Sequence, residues 1–170
     1  MWILGLPLKT LRNFSPFCAL WVINCIYTFG VNLPKGYNRV YFPIPENKTN
    51  YPLVQDLSLN YGLNFVRSDG RLKPTDSTNA KLMIKTVFNT YVKTPEQYDN
   101  SGKVISYRLS LMGKIEFIDL SNGEKFVSDA NITGNSLWFP DRESEDEALK
   151  RAIEDFYRQG IRHLFSQVEW

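Results

Sequence analysis

Ile105-Ser106-Tyr107-Arg108-Leu109-Ser110-Leu111-Met112-Gly113-Lys114-Ile115-Glu116-Phe117 is the stretch that decides the fold. Ile105, Tyr107, Leu109, Leu111, Ile115 and Phe117 take the odd positions, and Ser106, Arg108, Ser110, Lys114 and Glu116 the even ones. A strand turns successive side chains to opposite faces, so the pattern predicts a long antiparallel strand with one face on a core and one in water. Downstream, Ser121-Asn122-Gly123-Glu124 predicts a tight hairpin, because Asn-Gly tolerates the positive φ angles of a type I′ turn. Lys125–Gly134 then returns as the next strand. Upstream, Ala80–Tyr91 alternates as well, with Ala80, Leu82, Ile84 and Phe88 on one face and Lys81, Lys85 and Asn89 on the other. Asp99-Asn100-Ser101-Gly102 supplies a turn after it.

The ends add a strand and two helices. Arg39–Ile44 reads RVYFPI, a short β-rich run whose prolines, Pro43 and Pro45, place it near a sheet edge. Pro52 is a good first helical residue, and Val54 with Leu53, Leu57, Tyr61 and Phe65 follows at helical spacing. Leu57, Leu59, Tyr61, Leu63 and Phe65 also alternate, so periodicity alone leaves both readings open, and the helix is taken. Ser144–Val168 reads as a helix with Ser144 as N-cap, Glu147 three residues on, and Glu145 and Asp146 where the helix dipole favours anions. Leu149, Ala152, Ile153, Phe156, Ile161 and Leu164 make its apolar stripe. The expected order is strand, helix, three strands, helix: an α+β two-layer sandwich with a four-stranded sheet, two helices on one face and a polar opposite face.

With 170 residues, 43% of them hydrophobic, and 11 Phe, 9 Tyr and 4 Trp, the chain is large enough for one core and excludes low-complexity and disulfide-scaffold classes. A net charge of +2 without any basic run speaks against nucleic acid. One histidine and two cysteines cannot assemble a Cys/His zinc site, and no metal or cofactor is expected.

The first 30 residues contain Lys9 and Arg12, no acid, and the apolar stretch Phe14–Ile23, which reads as a secretory signal. That run is shorter than the roughly 20 residues of a bilayer-spanning helix, and Pro16 and Asn24 interrupt it, so an uncleaved anchor is the second reading. Two processing sites compete. Either Cys25 becomes a lipid-modified first residue after a signal peptide of residues 1–24, or cleavage follows Gly30, with Thr28 and Gly30 as the small residues. Lipoprotein signals place a small residue before the cysteine, and Asn24 departs from that pattern. Without the first 24 residues, basic and acidic side chains balance at 18 each.

Catalytic patterns are lacking. His163, the one histidine, reads as a helix C-terminal cation. No G-x-S-x-G elbow, P-loop or G-x-G-x-x-G occurs. The acid pairs Glu96/Asp99 and Asp119/Glu124 fall in predicted turns, where acids are ordinary. Asn47-Lys48-Thr49 and Asn131-Ile132-Thr133 fit the glycosylation sequon by chance in what reads as a bacterial chain. Two loops combine aromatic and basic residues: Val92–Lys103, and Leu137-Trp138-Phe139-Pro140 followed by Arg142. Such loops suit an amphiphile or protein partner, or simply pack against the sheet end.

Cys25-Ile26-Tyr27-Thr28-Phe29, Leu33-Pro34, Arg39–Ile44 and Glu46-Asn47-Lys48-Thr49, followed by Ala80–Ile84, Ser106–Leu109 and Glu147–Leu149, resemble in order and spacing the LptE family of lipopolysaccharide-assembly lipoproteins. The resemblance spans residues 25–170; Ile26 stands where the family often has glycine. It implies a lipoprotein anchored through Cys25 to the periplasmic face of the outer membrane. Such a protein plugs and helps assemble the LptD β-barrel and binds lipopolysaccharide in transport, without enzymatic activity. It also implies lipopolysaccharide contacts at Arg142 and Lys103. The competing expectation is a periplasmic small-ligand-binding or adhesin-like module without lipid, whose cleft lies between helices and sheet.

Overall fold

The computed structural model describes residues 33–167. Eight elements follow in order: β1 (Arg39–Tyr41), β2 (Glu46–Asn47), α1 (Leu53–Asp69), β3 (Lys73–Thr75), β4 (Leu82–Tyr98), β5 (Val104–Asp119), β6 (Ala130–Trp138) and α2 (Glu145–Gln167). The sheet runs β3-β1-β4-β5-β6, with β2 pairing β4 beyond the end of β1. The architecture is α+β, but the sheet has six strands rather than four. The two added strands, β2 and β3, are two and three residues long, too short to carry a period in sequence.

From Leu109 onward the decisive strand stands as read, whereas at its start Ser106, expected in water, is fully buried and Ile105 and Tyr107 are only half-buried. β5 pairs antiparallel with β4 from Leu82↔Asp119 to Tyr98↔Val104, and with β6 from Tyr107↔Trp138 to Ile115↔Ala130. Its odd residues Leu109, Leu111, Ile115 and Phe117 are fully buried. The first strand is shorter and better covered than expected. It stops before Pro43, and it pairs in parallel with β3 on one side and β4 on the other, so β3 takes the edge.

Two expected loops are strand. Val92–Tyr98 continues β4, so the β4–β5 hairpin runs on as an arm to the turn at Asp99–Gly102, where Asp99 N–H donates to the Lys103 carbonyl at 2.9 Å. Pro95, Lys93 and Glu96 hide it in sequence, and a two-stranded ribbon has no core to impose alternation. The last strand lies later than Lys125–Gly134 and includes Leu137 and Trp138. The turn before it is wider than a two-residue hairpin: Leu120–Gly123 separate Asp119 from Glu124, with Asp119 N–H donating to the Glu124 carbonyl at 2.8 Å and Gly123 at φ 75°.

Both helices cover the same sheet face. On α1 the buried residues are Val54, Ser58, Gly62 and Val66, one every four positions, so small side chains face inward and the leucines flank them. That arrangement produced the false alternation of Leu57 to Phe65. On α2, Ser144 caps as expected, its Oγ accepting the Glu147 N–H at 3.3 Å, while the Glu147 carboxylate takes Lys150 rather than returning to Ser144. Phe88, Phe117, Phe156 and Tyr157 fill the space between the layers. Gly134 lets the α2 backbone lie on β6: a Cβ there would stand 2.1 Å from the Ala152 carbonyl oxygen.

Candidate functional site

β4, β5 and β6 bring Tyr91, Lys93, Tyr107 and Trp138 to the end of the sheet where α2 begins. Tyr107 and Trp138 are cross-strand partners with rings 5.3 Å apart, and the Lys93 ammonium sits 4.8 Å from the Trp138 ring centroid and 5.8 Å from that of Tyr107. Lys93 and the Tyr91 hydroxyl both donate to the Glu145 carboxylate at 2.7 Å. Tyr51, just before α1, stacks against Tyr91 at 5.1 Å and donates to Asp146 at 3.2 Å. The first turn of α2 is thus tied to strand and loop through its own dipole-favoured acids. Burial works against the Glu145 charge, but hydrogen bonds from Lys93 and Tyr91 outweigh it and hold the carboxyl below its ordinary value. The same burial and carboxylate push the Tyr91 phenol far up. The cluster is a clamp in which Lys93 answers the Glu145 charge and Asp146 takes the Tyr51 hydroxyl.

Arg142 and Lys103 flank this cluster. Arg142 is exposed in the loop between β6 and α2, its guanidinium 5.0 Å from the Phe139 ring centroid, and it makes no ion pair among the described residues. Lys103 is exposed at the arm turn, its N–H donating to Asp99 Oδ1 at 3.0 Å. Lys103 lies four residues before Tyr107 and Arg142 four residues after Trp138, so both leave the same rung of the sheet. The arm carries Lys103 on the order of 13 Å past that rung, whereas the Arg142 loop folds back on itself, Arg142 N–H reaching the Phe139 carbonyl. The two cations share one end of the molecule without forming one pocket. Cys25 lies outside the described residues.

A second constellation was missed in sequence. Arg151, Asp155, Gln159 and His163 recur every four residues along α2; the first three close the outer edge of β6 and His163 reaches Ser128 just before it. Arg151 Nη2 donates to the Leu137 carbonyl at 2.7 Å, Asn135 N–H to Asp155 at 3.0 Å, and Gln159 Nε2 to the Thr133 carbonyl at 2.9 Å, while His163 Nε2 meets the Ser128 carbonyl at 3.0 Å. Four helical residues rise about 6 Å and two strand residues about 6.8 Å, which is why the first three rungs match. The i, i+4 spacing of polar residues was the available signal. His163, expected as a dipole cation, is an edge cap, and no basic residue lies in the last turn.

The outer sheet face is polar and cross-linked, as the even positions of β5 imply. Lys114 meets Asp129 at 2.6 Å and Glu116 at 2.9 Å, Lys125 meets Asp129 at 2.5 Å, and Lys85 lies 3.6 Å from Glu116. These lysines hold both carboxyls below their ordinary values through hydrogen bonds. Among the described residues no group of three His, Cys, Asp or Glu side chains could hold a metal ion, and no helix is long and apolar enough to cross a membrane.

No protein-family model and no curated protein matches the chain. Solved structures do share its fold. A dodecameric variant of PelC from Paraburkholderia phytofirmans superposes with a TM-score of 0.52 at 17% identity, covering 81% of this chain and 93% of that one. A Caulobacter crescentus protein described as a lipoprotein gives 0.52 at 10% identity, covering 77% and 91%. The hypothetical protein CT253 of Chlamydia trachomatis gives 0.50 at 7% identity, covering 76% and 96%. The chain therefore has a fold found among solved bacterial proteins that include a lipoprotein, and at these identities the likeness is one of fold.

Proposed function

We propose that this protein is an outer-membrane lipoprotein of lipopolysaccharide transport. In this reading it is anchored through Cys25 at the periplasmic face, seated as a rigid non-enzymatic plug in an LptD-type β-barrel, and in contact with lipopolysaccharide through Arg142 and Lys103. The ordered block resemblance over residues 25–170 supports the family, and the placement of the two cations supports the ligand. Leu33 enters the described fold beside Tyr37, whose hydroxyl donates to Asp119 at the far end of β5. Arg142 and Lys103 sit at the opposite end. The eight residues from Cys25 to Leu33 reach at most about 29 Å, so a lipid on Cys25 would keep Leu33 within that distance of the membrane. An arginine stacked on an aromatic ring and without a carboxylate partner among the described residues keeps its fork available for a lipid phosphate.

The competing small-ligand module needs a cleft between helices and sheet; Phe88, Phe156 and Tyr157 fill the interior between the layers, which leaves such a ligand the open cleft at the α2–β6 edge lined by Asn135, Leu137, Phe139, Arg151, Asp155 and Arg158. Purification of the tagged full-length protein from host membranes in mild detergent tests the proposal. Stoichiometric recovery of a large outer-membrane barrel together with a diacylated or triacylated Cys25 is the expected result. Recovery of an unmodified chain starting at Val31, alone in the periplasmic fraction, would overturn it.

A further inference from the structure

Most of the basic side chains meet a carboxylate, but Lys35, Arg39, Lys73 and Lys81 are exposed and make no ion pair among the described residues. Strand register gathers these four. β1 opens with Arg39 and β3 with Lys73, and the two are partners across the parallel ladder. Val40 pairs with Leu82, so one step back Arg39 stands beside Lys81, whose N–H donates to the Arg39 carbonyl at 3.2 Å. Neighbouring strands lie about 4.8 Å apart, so Lys73, Arg39 and Lys81 form one row at the end of the sheet. The Pro34–Tyr37 turn, closed by the Tyr37 N–H on the Pro34 carbonyl at 3.0 Å, brings Lys35 to the same end. Its Gly36 lies against the Lys81 side chain, where a Cβ would stand 3.0 Å from Lys81 Cδ.

Like charges set across from one another on neighbouring strands repel, and the acids at this end are engaged elsewhere. Asp69 pairs with Arg71, the Asp76 carboxylate takes the Thr78 hydroxyl and the Asn79 N–H groups, and Asp119 takes the Tyr37 and Ser121 hydroxyls. Lys81 attracts Asp119 only from a distance. Outside the described residues the sequence holds one acidic side chain, Glu169. The row also lies where the chain enters the described fold, Lys35 being two residues after Leu33. We propose that Lys35, Arg39, Lys73 and Lys81 rest on a bilayer surface bearing anionic phosphate head groups. An extended row of exposed cations matches a charged plane, to which each contributes separately, and a basic patch is the usual second signal beside a lipid chain. The inference stands on the row of charges and holds for either processing site, so it succeeds or fails apart from the transport reading.

Lysine footprinting of the full-length protein tests it. Detergent is removed in the presence of vesicles of phosphatidylcholine alone, or of phosphatidylcholine mixed with anionic phosphatidylglycerol, and acylation by a membrane-impermeant reagent is followed at each lysine by mass spectrometry. Lys35, Lys73 and Lys81 are expected to react several-fold more slowly on the anionic vesicles, while Lys103, at the opposite end of β5, is unchanged. High salt should abolish the difference, because exposed charges are screened. Lys73→Glu changes an exposed residue and is expected to cancel most of the protection at Lys35 and Lys81. Inorganic phosphate in place of the anionic lipid is expected to protect none of them. Equal reactivity on both kinds of vesicle, protection that extends equally to Lys103, or full protection by inorganic phosphate alone would overturn the proposal.

Discussion

The hydroxyls of Tyr157 and Ser58, 99 residues apart in sequence, lie 2.8 Å from one another in the interior, where both residues are fully buried. This bond ties α2 to α1 over β4, and Gly62 supplies the room, since a Cβ there would stand 2.3 Å from the Tyr157 ring. Tyr157→Phe is expected to cost about 1–3 kcal/mol by leaving the Ser58 hydroxyl unpaired. Gly62→Ala is expected to cost ~3 kcal/mol by displacing the ring. Denaturant unfolding monitored by tyrosine fluorescence measures both; a neutral Gly62→Ala would contradict the close approach.

Burial pushes the Tyr157 phenol up to about 12, against hydrogen bonds that favour its ionised form. A group whose folded pKa exceeds its unfolded value stabilises the fold below the unfolded value, near 10, and loses that contribution as pH rises toward the folded one. Stability is therefore expected to fall from about pH 10 to about pH 12, with Tyr157→Phe showing a shallower slope and Tyr37, Tyr51 and Tyr91, all raised, supplying the remainder. On the acid side the sign reverses. Hydrogen bonds from Tyr37 and then Ser121 hold Asp119 below its ordinary value, so its contribution is present above about pH 4 and is lost as pH falls through the folded value. Asp119→Asn should flatten that limb in melting curves taken across pH.

Gly134→Ala places a methyl against the α2 backbone, where nothing flexible can yield. The expected loss is ~3 kcal/mol or more, read as a lowered denaturant midpoint with an unchanged slope.

Asp155→Ala removes the acceptor of the Asn135 N–H and a partner of Gln159. The stability loss is expected to be about 1 kcal/mol, but the larger effect is an unguarded β6 edge. Faster aggregation on mild heating, measured by light scattering, should accompany a melting temperature lowered by only a few degrees. Equal aggregation rates would show that the ladder does not protect the edge.

Arg142→Asp changes an exposed side chain that touches the Phe139 ring and no carboxylate among the described residues. Thermal stability is expected to shift by less than about 0.5 kcal/mol, while lipopolysaccharide binding in a titration weakens several-fold. Unchanged binding would remove Arg142 from the proposed contact.

Local chemistry sufficed where one element carried its own signal. The alternation of Ile105 to Phe117 wrote β5, because a half-buried strand must separate apolar from polar residues at every step. Ser144 and the acids after it wrote the start of α2. Pairing between distant segments decided the rest. β2 and β3 exist only because β4 and β1 offer ladders to two or three residues, and Tyr91, Lys93, Trp138 and Glu145 meet only because strand register puts the first three on neighbouring rungs of one face, beside the first turn of α2. The edge ladder is the plainest case: Arg151, Asp155, Gln159 and His163 read as an ordinary solvated helix face until α2 lies along β6, where their reach matches the unpaired backbone groups of another element.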